Sequence, residues 1–253
     1  MNYHADLFTA FLPCRRGSKR VPKKNTRPFG GDDHGLVAIK LRQLIASTQI
    51  DQILVSTDDP LIFDLCNSSE FRTESRLVMD ERPPELAQCS TSTDALIDYV
   101  AKLIPQGHIL WTHVTSPFLD ATSYEAIIQA YWTGLSDGYD SLMTVSPFQN
   151  FLWTEKGPIN YDGQKEKWPR TQTLEPLFIV NSGAFIAPAS IYHKNLNRVG
   201  NNPYLYELDH FQELDIDRYP DFQFCDAIWR LKSKEKRMID PARPDEKIIA
   251  FRP

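Results

Sequence analysis

Apolar residues fall along this chain in two alternating patterns, short unbroken runs and helical repeats. The first run covers residues 7–12 and stops at Pro13, which predicts a buried strand over residues 6–13. The next stretch is rich in Lys, Arg, Pro and Gly and reads as a loop. Val37, Leu41, Leu44 and Ile45 then recur at helical spacing, predicting a helix over residues 36–47. Residues 52–57 form a short apolar strand ending at Asp58 and Asp59, one of which caps a helix over residues 60–66 opened by Pro60. Leu96, Tyr99, Val100 and Leu103 mark another helix, opened by Ser92, Thr93 and Asp94. A strand over 108–114, a loop at 115–117, a helix over 122–132 and a strand over 141–145 follow. Strands alternating with helices predict right-handed βαβ units, hence a three-layer α/β/α fold with a mostly parallel sheet covered on both faces.

The pattern breaks at residues 147–176, which are rich in Pro, Gly, Trp and Lys and have no clear period. So long a structureless stretch is uncommon inside a compact domain, so it reads as a protruding hairpin or arm, and as an interface. A strand resumes over 178–186. Residues 213–216 lead into Asp217, and a helix follows with Phe222, Cys225 and Trp229 on one face. The charged, proline-containing tail after Lys232 is expected to be exposed. The reading is one domain over residues 1–253 with an inserted arm at 147–177.

Composition narrows the class. The chain has 253 residues, is 42% hydrophobic and carries a net charge of −5. That supports a globular core and argues against a general nucleic-acid binder. There is no long apolar run and no basic-then-apolar leader pattern, so neither a membrane span nor secretion is expected. Cys14, Cys66, Cys89 and Cys225 lie far apart with no CxxC pair, which argues against structural zinc and for a reducing cytoplasm.

Against the acidic total, residues 15–27 hold Arg15, Arg16, Lys19, Arg20, Lys23, Lys24 and Arg27 with no acid among them. Gly17 lets backbone amides approach an anion and the cations neutralise it, so the segment reads either as a polyphosphate cradle or as a solvated basic loop. It lacks the first glycine of a Walker A loop and a Ser or Thr after its lysine. Nothing after the first strand matches the dinucleotide-binding glycine fingerprint either.

The run Leu12-Pro13-Cys14-Arg15-Arg16-Gly17-Ser18-Lys19, with Lys24-Asn25 after it, resembles the signature of the sugar-acid cytidylyltransferases, the acylneuraminate cytidylyltransferase family. Further segments resemble that family in the same order: Val55-Ser56-Thr57-Asp58-Asp59, Arg82-Pro83-Pro84-Glu85-Leu86-Ala87, Thr115-Ser116-Pro117, Asn181-Ser182-Gly183-Ala184 and Leu214-Asp215-Ile216-Asp217. The resemblance spans residues 8–230. It implies a nucleotidyltransferase (Rossmann-like) fold, a dimerisation arm and transfer of CMP from CTP to the anomeric hydroxyl of a 2-keto sugar acid.

On this resemblance Arg15 and Lys19, with the amides near Gly17 and Ser18, hold the triphosphate, Lys24 lies by the α-phosphate or the departing pyrophosphate, and Asn25 and Arg82 contact cytosine and ribose, unless Arg82 is a surface ion pair with Glu81 or Glu85. Ser92 and Thr93 either touch the nucleotide or cap the helix at Asp94. Asp215 and Asp217, on one side of an extended segment, suit Mg²⁺, or else cap the helix after Arg218. Asp217 is also a candidate for accepting the attacking proton. His113 is a candidate for lining the sugar acid, or else a buried histidine at a strand end; Thr115, Ser116, Arg170 and Asn181 are further sugar-acid candidates, and Phe148, Phe151, Trp153 and Trp168 form either a homodimer contact or a local hydrophobic plug on one subunit. The alternatives are another small acidic acceptor, such as a phosphonate, or a non-catalytic nucleotide-binding protein. The family's Arg-Pro pair before Asn-Gly-Ala is Ile179-Val180 here, and its acid after Glu-Leu-Ala-x is Cys89. The nucleotide half therefore resembles the family better than the sugar half.

Overall fold

Five successive strands of this chain end at the same edge of one sheet, and a cleft opens at that edge. In the computed structural model, which describes the backbone of residues 7–239 and side chains to residue 234, the strands are β1 (Phe8–Pro13), β2 (Gln52–Thr57), β3 (Leu77–Glu81), β4 (His108–Thr112), β5 (Ser141–Phe148), β6 (Trp153–Thr154), β7 (Gly157–Pro158), β8 (Leu177–Pro188) and β9 (Pro203–Glu207). The helices are α1 (Gly35–Ala46), α2 (Pro60–Cys66), α3 (Thr93–Leu103), α4 (Ala121–Ser136), α5 (Ala189–Asn195) and α6 (Tyr219–Ile239).

Seven strands form the sheet, in the order β3-β2-β1-β4-β8-β5-β9. Only β8 runs antiparallel, pairing with β4 on one side and β5 on the other. Side chains of β1 sort by parity, as a strand requires. Phe8, Ala10 and Leu12 join a core with α1, α2, α4 and α6. Phe11 joins a second core with α3 and α5. The sheet is therefore covered on both faces, giving a three-layer α/β/α fold.

Local signals explain most boundaries. Asp59, of the two aspartates considered, caps α2 by accepting from the Leu61 amide, and Pro60 opens the helix. Ser92 caps α3 by accepting from the Ala95 amide, and Asp120 caps α4. Three elements escape a reading by periodicity: β3, α5 and β9. β3 and β9 are the two edges of the sheet, where one side faces solvent and the apolar pattern weakens. α5 is a seven-residue helix. The segment after Lys232, expected as an exposed tail, begins as a continuation of α6 to Ile239, and its remainder lies outside the described residues.

Strand order reverses between β1 and β4, so the loops after these strands splay apart and leave a crevice, the usual ligand position in such sheets. Beyond a bulge between Met143 and Val145, β5 and β8 run on together, as a two-stranded ribbon from Ser146↔Ile179 to Phe148↔Leu177. The stretch between them is not wholly structureless. It holds the small β6–β7 ribbon and a short turn of 3₁₀ helix at Thr171–Thr173.

Candidate active site

The loop after β1 is held by its own backbone and by buried anchors, which leaves its cations facing the crevice. The Cys14 amide bonds the Ser56 carbonyl at 2.9 Å, prolonging the β1–β2 ladder by one residue. Gly17 then turns with φ +82°, a conformation that costs an L-residue about 1–2 kcal/mol. Asp58 accepts the Arg16 amide at 2.6 Å, and Asn25 reaches back to the Arg15 carbonyl at 3.2 Å. Val21 and Phe29 are fully buried and pin the loop to the core. The cleft of about 500 Å³ that results is lined on this wall by Arg15, Ser18, Lys19, Arg20, Lys24 and Asn25.

Asp215 and Asp217 line the opposite wall. Ile216 between them is fully buried. Its amide donates to the Thr115 carbonyl at 2.9 Å, and its carbonyl accepts from Lys24 Nζ at 2.7 Å. Holding the peptide on both sides turns the flanking carboxylates to the cleft. The amides of Asp217 and Arg218 are taken by the Asp221 carboxylate, at 3.1 and 2.7 Å, so Asp221 serves the start of α6. Asp217 meets Arg20 at 3.0 Å in a pair more than half exposed on each side.

Burial raises the Asp215 carboxyl above its usual range, with Asp217 adding to the rise, against the Thr115 hydrogen bond and Lys24. Burial lowers the Lys24 ammonium from its usual value, with Asp215 and Asp217 opposing. Asp215 Oδ1 is buried without a hydrogen-bond partner. An orphan carboxylate oxygen beside a second carboxylate is a hard-oxygen donor set, and it fits a divalent cation such as Mg²⁺. No cluster of three or more His, Cys, Asp or Glu able to hold a metal occurs among the described residues.

The third wall is neutral: His113, Val114, Thr115 and Ser182. Trp111 Nε1 can only donate, and it lies 3.1 Å from His113 Nε2, so Nε2 accepts and Nδ1 carries the proton. Nδ1 donates to the Ser182 carbonyl at 3.1 Å. Burial brings the His113 pKa down to about 4, with Arg198, Lys24 and Lys40 adding to the fall against the Ser182 bond. His113 is thus a neutral ring with both nitrogens engaged, offering the cleft shape rather than charge.

Other candidates lie outside this lining. Arg82 is 3% exposed and donates to the Ser56 hydroxyl and carbonyl at 3.1 and 2.7 Å, under the loop rather than in the cleft. Ser92 caps α3, and Thr93 is the first residue of that helix. Ser116 is 2% exposed behind Thr115. Asn181 is engaged with Thr144 and Ser146 at the bulge. Arg170 is exposed on the arm. Sequence reasoning passed over Arg20, Ser182 and Lys40. Arg20 lay within the basic run, and Lys40 occupies an apolar position of the α1 pattern, an anomaly visible in one dimension.

The cytidylyltransferase family profile matches residues 9–152. The chain is 27% identical over 217 residues to N-acylneuraminate cytidylyltransferase of Streptococcus agalactiae, covering 83% of this chain and 50% of that protein. It thus spans about half the length of that curated relative. It is 27% identical over 230 residues to pseudaminic acid cytidylyltransferase of Campylobacter jejuni, covering 87% and 95%. Among solved structures it is similar to CMP:2-keto-3-deoxy-manno-octonic acid synthetase complexed with CTP, with a TM-score of 0.61, 12% identity, and coverage of 91% and 100%.

Proposed function

The chain belongs to the cytidylyltransferase family, and from that premise we propose that it transfers CMP from CTP to the anomeric hydroxyl of a 2-keto sugar acid of the sialic or nonulosonic type, releasing pyrophosphate. The observation that carries the reading is one arrangement: a row of cations on the loop after β1 faces Asp215 and Asp217 across a single cleft. In-line displacement at phosphorus demands positioning and charge neutralisation more than covalent chemistry.

Arg15, Lys19 and the amides near Gly17 and Ser18 hold the triphosphate. Lys24 bridges from this loop to the Ile216 carbonyl and sits beside the phosphorus under attack or the departing pyrophosphate. Asp215 and Asp217 would hold Mg²⁺, which supplies positive charge at the phosphate oxygens when bound. The acceptor hydroxyl oxygen forms a bond to the α-phosphorus as the bond to the β-phosphate bridge breaks. The hydroxyl proton leaves to Asp217 or to water. Asn25 orients the base end of the nucleotide, and His113, Thr115 and Ser182 bound the acceptor.

Beyond the bulge β8 exposes Phe178, Ile179 and Val180, and the arm exposes Trp153 and Trp168. These apolar faces support a homodimer through the arm at residues 147–177 and the adjoining ribbon of β8. The four unpaired cysteines and the need for CTP support a cytoplasmic setting. No helix among the described residues is long and apolar enough to cross a membrane.

One observation favours a second acceptor class. The acceptor wall holds no permanent cation, and Ile179-Val180 stand where the sialic-acid enzymes carry Arg-Pro. A smaller or differently charged acid is then the substrate. Pyrophosphate release from CTP and Mg²⁺ is measured against N-acylneuraminic, pseudaminic and legionaminic acids and a panel of non-sugar acids, with ATP, GTP and UTP as controls. Release with a nonulosonic acid is expected. Release only with a non-sugar acid favours the second reading, and CTP binding without turnover on any acceptor overturns both.

A further inference from the structure

Lys40 lies on the inward face of α1, fully buried, with Leu36 and Leu44 one turn away on either side. A buried ammonium is costly unless each of its donors finds an acceptor. Here Nζ donates to the Ser116 carbonyl at 2.8 Å, the Leu119 carbonyl at 3.2 Å and the Tyr124 hydroxyl at 2.7 Å. The directions are forced. The Thr112 hydroxyl donates to the Gly183 carbonyl at 2.7 Å, so in its 2.8 Å contact with Tyr124 it accepts. Tyr124 therefore donates to Thr112 and accepts from Lys40. Three acceptors specify the protonated amine, although burial draws Lys40 well below its ordinary pKa and Asp120 is the acid acting against that fall.

These bonds lead to three segments of the cleft beyond the basic loop, residues 113–115, 182 and 215–217; Cys89, which also lines it, stands apart from them. Ser116 and Leu119 belong to the loop after β4, and Gln43 Nε2 holds the Pro117 carbonyl of the same loop at 2.6 Å. Thr115, at its start, accepts the Ile216 amide between the two acids. Gly183, at the far end of the chain of hydroxyls, follows the Ser182 whose carbonyl fixes His113. α1 itself contributes nothing to the cleft lining.

We propose that Lys40 is a positioning residue: a buried ammonium that draws the 116 and 119 carbonyls inward and thereby sets the Thr115–Ile216 bridge on which Asp215 and Asp217 stand. What the carboxylates then do rests on the functional reading above; the bridge does not. Methionine at this position has similar length and no donor, so it leaves the two carbonyls and Tyr124 without their donor.

The test compares wild-type protein with Lys40→Met by amide hydrogen exchange in the absence of ligand, and by calorimetric titration with CTP with and without Mg²⁺. The Ile216 amide is expected to exchange at least about tenfold faster in the variant, while amides of β1 and β2 stay within about twofold of wild type. Metal-free CTP binding should hold within about threefold, and its strengthening by Mg²⁺ should fall about tenfold. Uniform acceleration over the whole sheet, or an unchanged Ile216, overturns the proposal. If Lys40→Met does not fold, Tyr124→Phe, which removes one acceptor and the relay to Gly183, is read in the same way. It should speed Ile216 selectively by about threefold, and no change there overturns the proposal. Wild-type protein that binds no CTP in either condition overturns the functional reading instead, and the exchange result still decides the bridge.

Discussion

The two ends of the cleft are built in opposite ways. At the end formed by residues 15–25, cations stand on a loop pinned by a few backbone bonds and two buried anchors, and Arg20 meets its partner with both side chains largely in water. At the end formed by residues 113–115 and 182, the groups are neutral and interlocked, with both nitrogens of His113 engaged. Charge acts over several ångströms and tolerates mobile side chains. Recognition by shape demands fixed atoms, and fixing them uses up hydrogen bonds. The first end suits a polyanion of constant chemistry, and the second a ligand told apart by its contour.

The sharpest way to break this contrast is to remove the carboxylate that faces the charged end. Asp217→Asn is expected to lower kcat about a thousandfold while CTP affinity changes by a few-fold, because the loss falls on charge developed during transfer. Unchanged turnover would sink the metal assignment.

The next effect belongs to the neutral end. His113 is held neutral with a pKa of about 4, below its unfolded value of about 6.5. Between those values the unfolded state binds more protons. Stability is therefore full above the upper value and falls as pH drops toward the lower one, by about 3 kcal/mol in all. Melting curves across this window should show a steeper loss for wild type than for His113→Gln, and equal slopes would contradict the assigned state of the ring.

Smaller again is the effect of a single cation on the loop. Lys19→Ala should raise the KM for CTP about tenfold with kcat little changed, and the wild-type KM should rise with salt as exposed charges are screened. An effect confined to kcat would move Lys19 from binding to the reacting centre. Least of all, Arg20→Ala should change unfolding free energy by less than about 1 kcal/mol in urea titration, since both partners of its ion pair are solvated. A larger change would mean that the charged end is more rigid than its exposure implies.

Much of this was legible in one dimension. The β1 run, the α1 repeat and the serine and aspartate caps come from local periodicity and local hydrogen bonding, which depend on near neighbours along the chain. The concentration of cations after β1 needed no fold to be seen. The edge strands β3 and β9 were not legible, because half their surface faces water and their pattern is blurred. Nor was the extension of α6 through the charged segment after Lys232, where a charged helix and a charged tail have the same composition.

Arg82 and Asn181 show a different limit. Each sits in a segment that resembles a functional motif, yet one is bound to Ser56 and the other to Thr144 and Ser146. Lys40 is the reverse case, a residue outside every motif that lies under the loop carrying Thr115. Side-chain chemistry names the candidates, but hydrogen-bond allocation decides which of them remain free to meet a ligand.

The amino-acid order alone therefore determined the alternation of strands and helices, the site of the cation-bearing loop and the family, because periodicity, charge and motif order are properties of the chain taken locally. Only the tertiary structure decided which groups share the cleft and in what state. Arg20 meets Asp217 across 197 positions, and Lys40 reaches Tyr124 across 84. The neutrality of His113 and the orphan oxygen of Asp215 follow from burial, and burial is created only when distant segments close over one another.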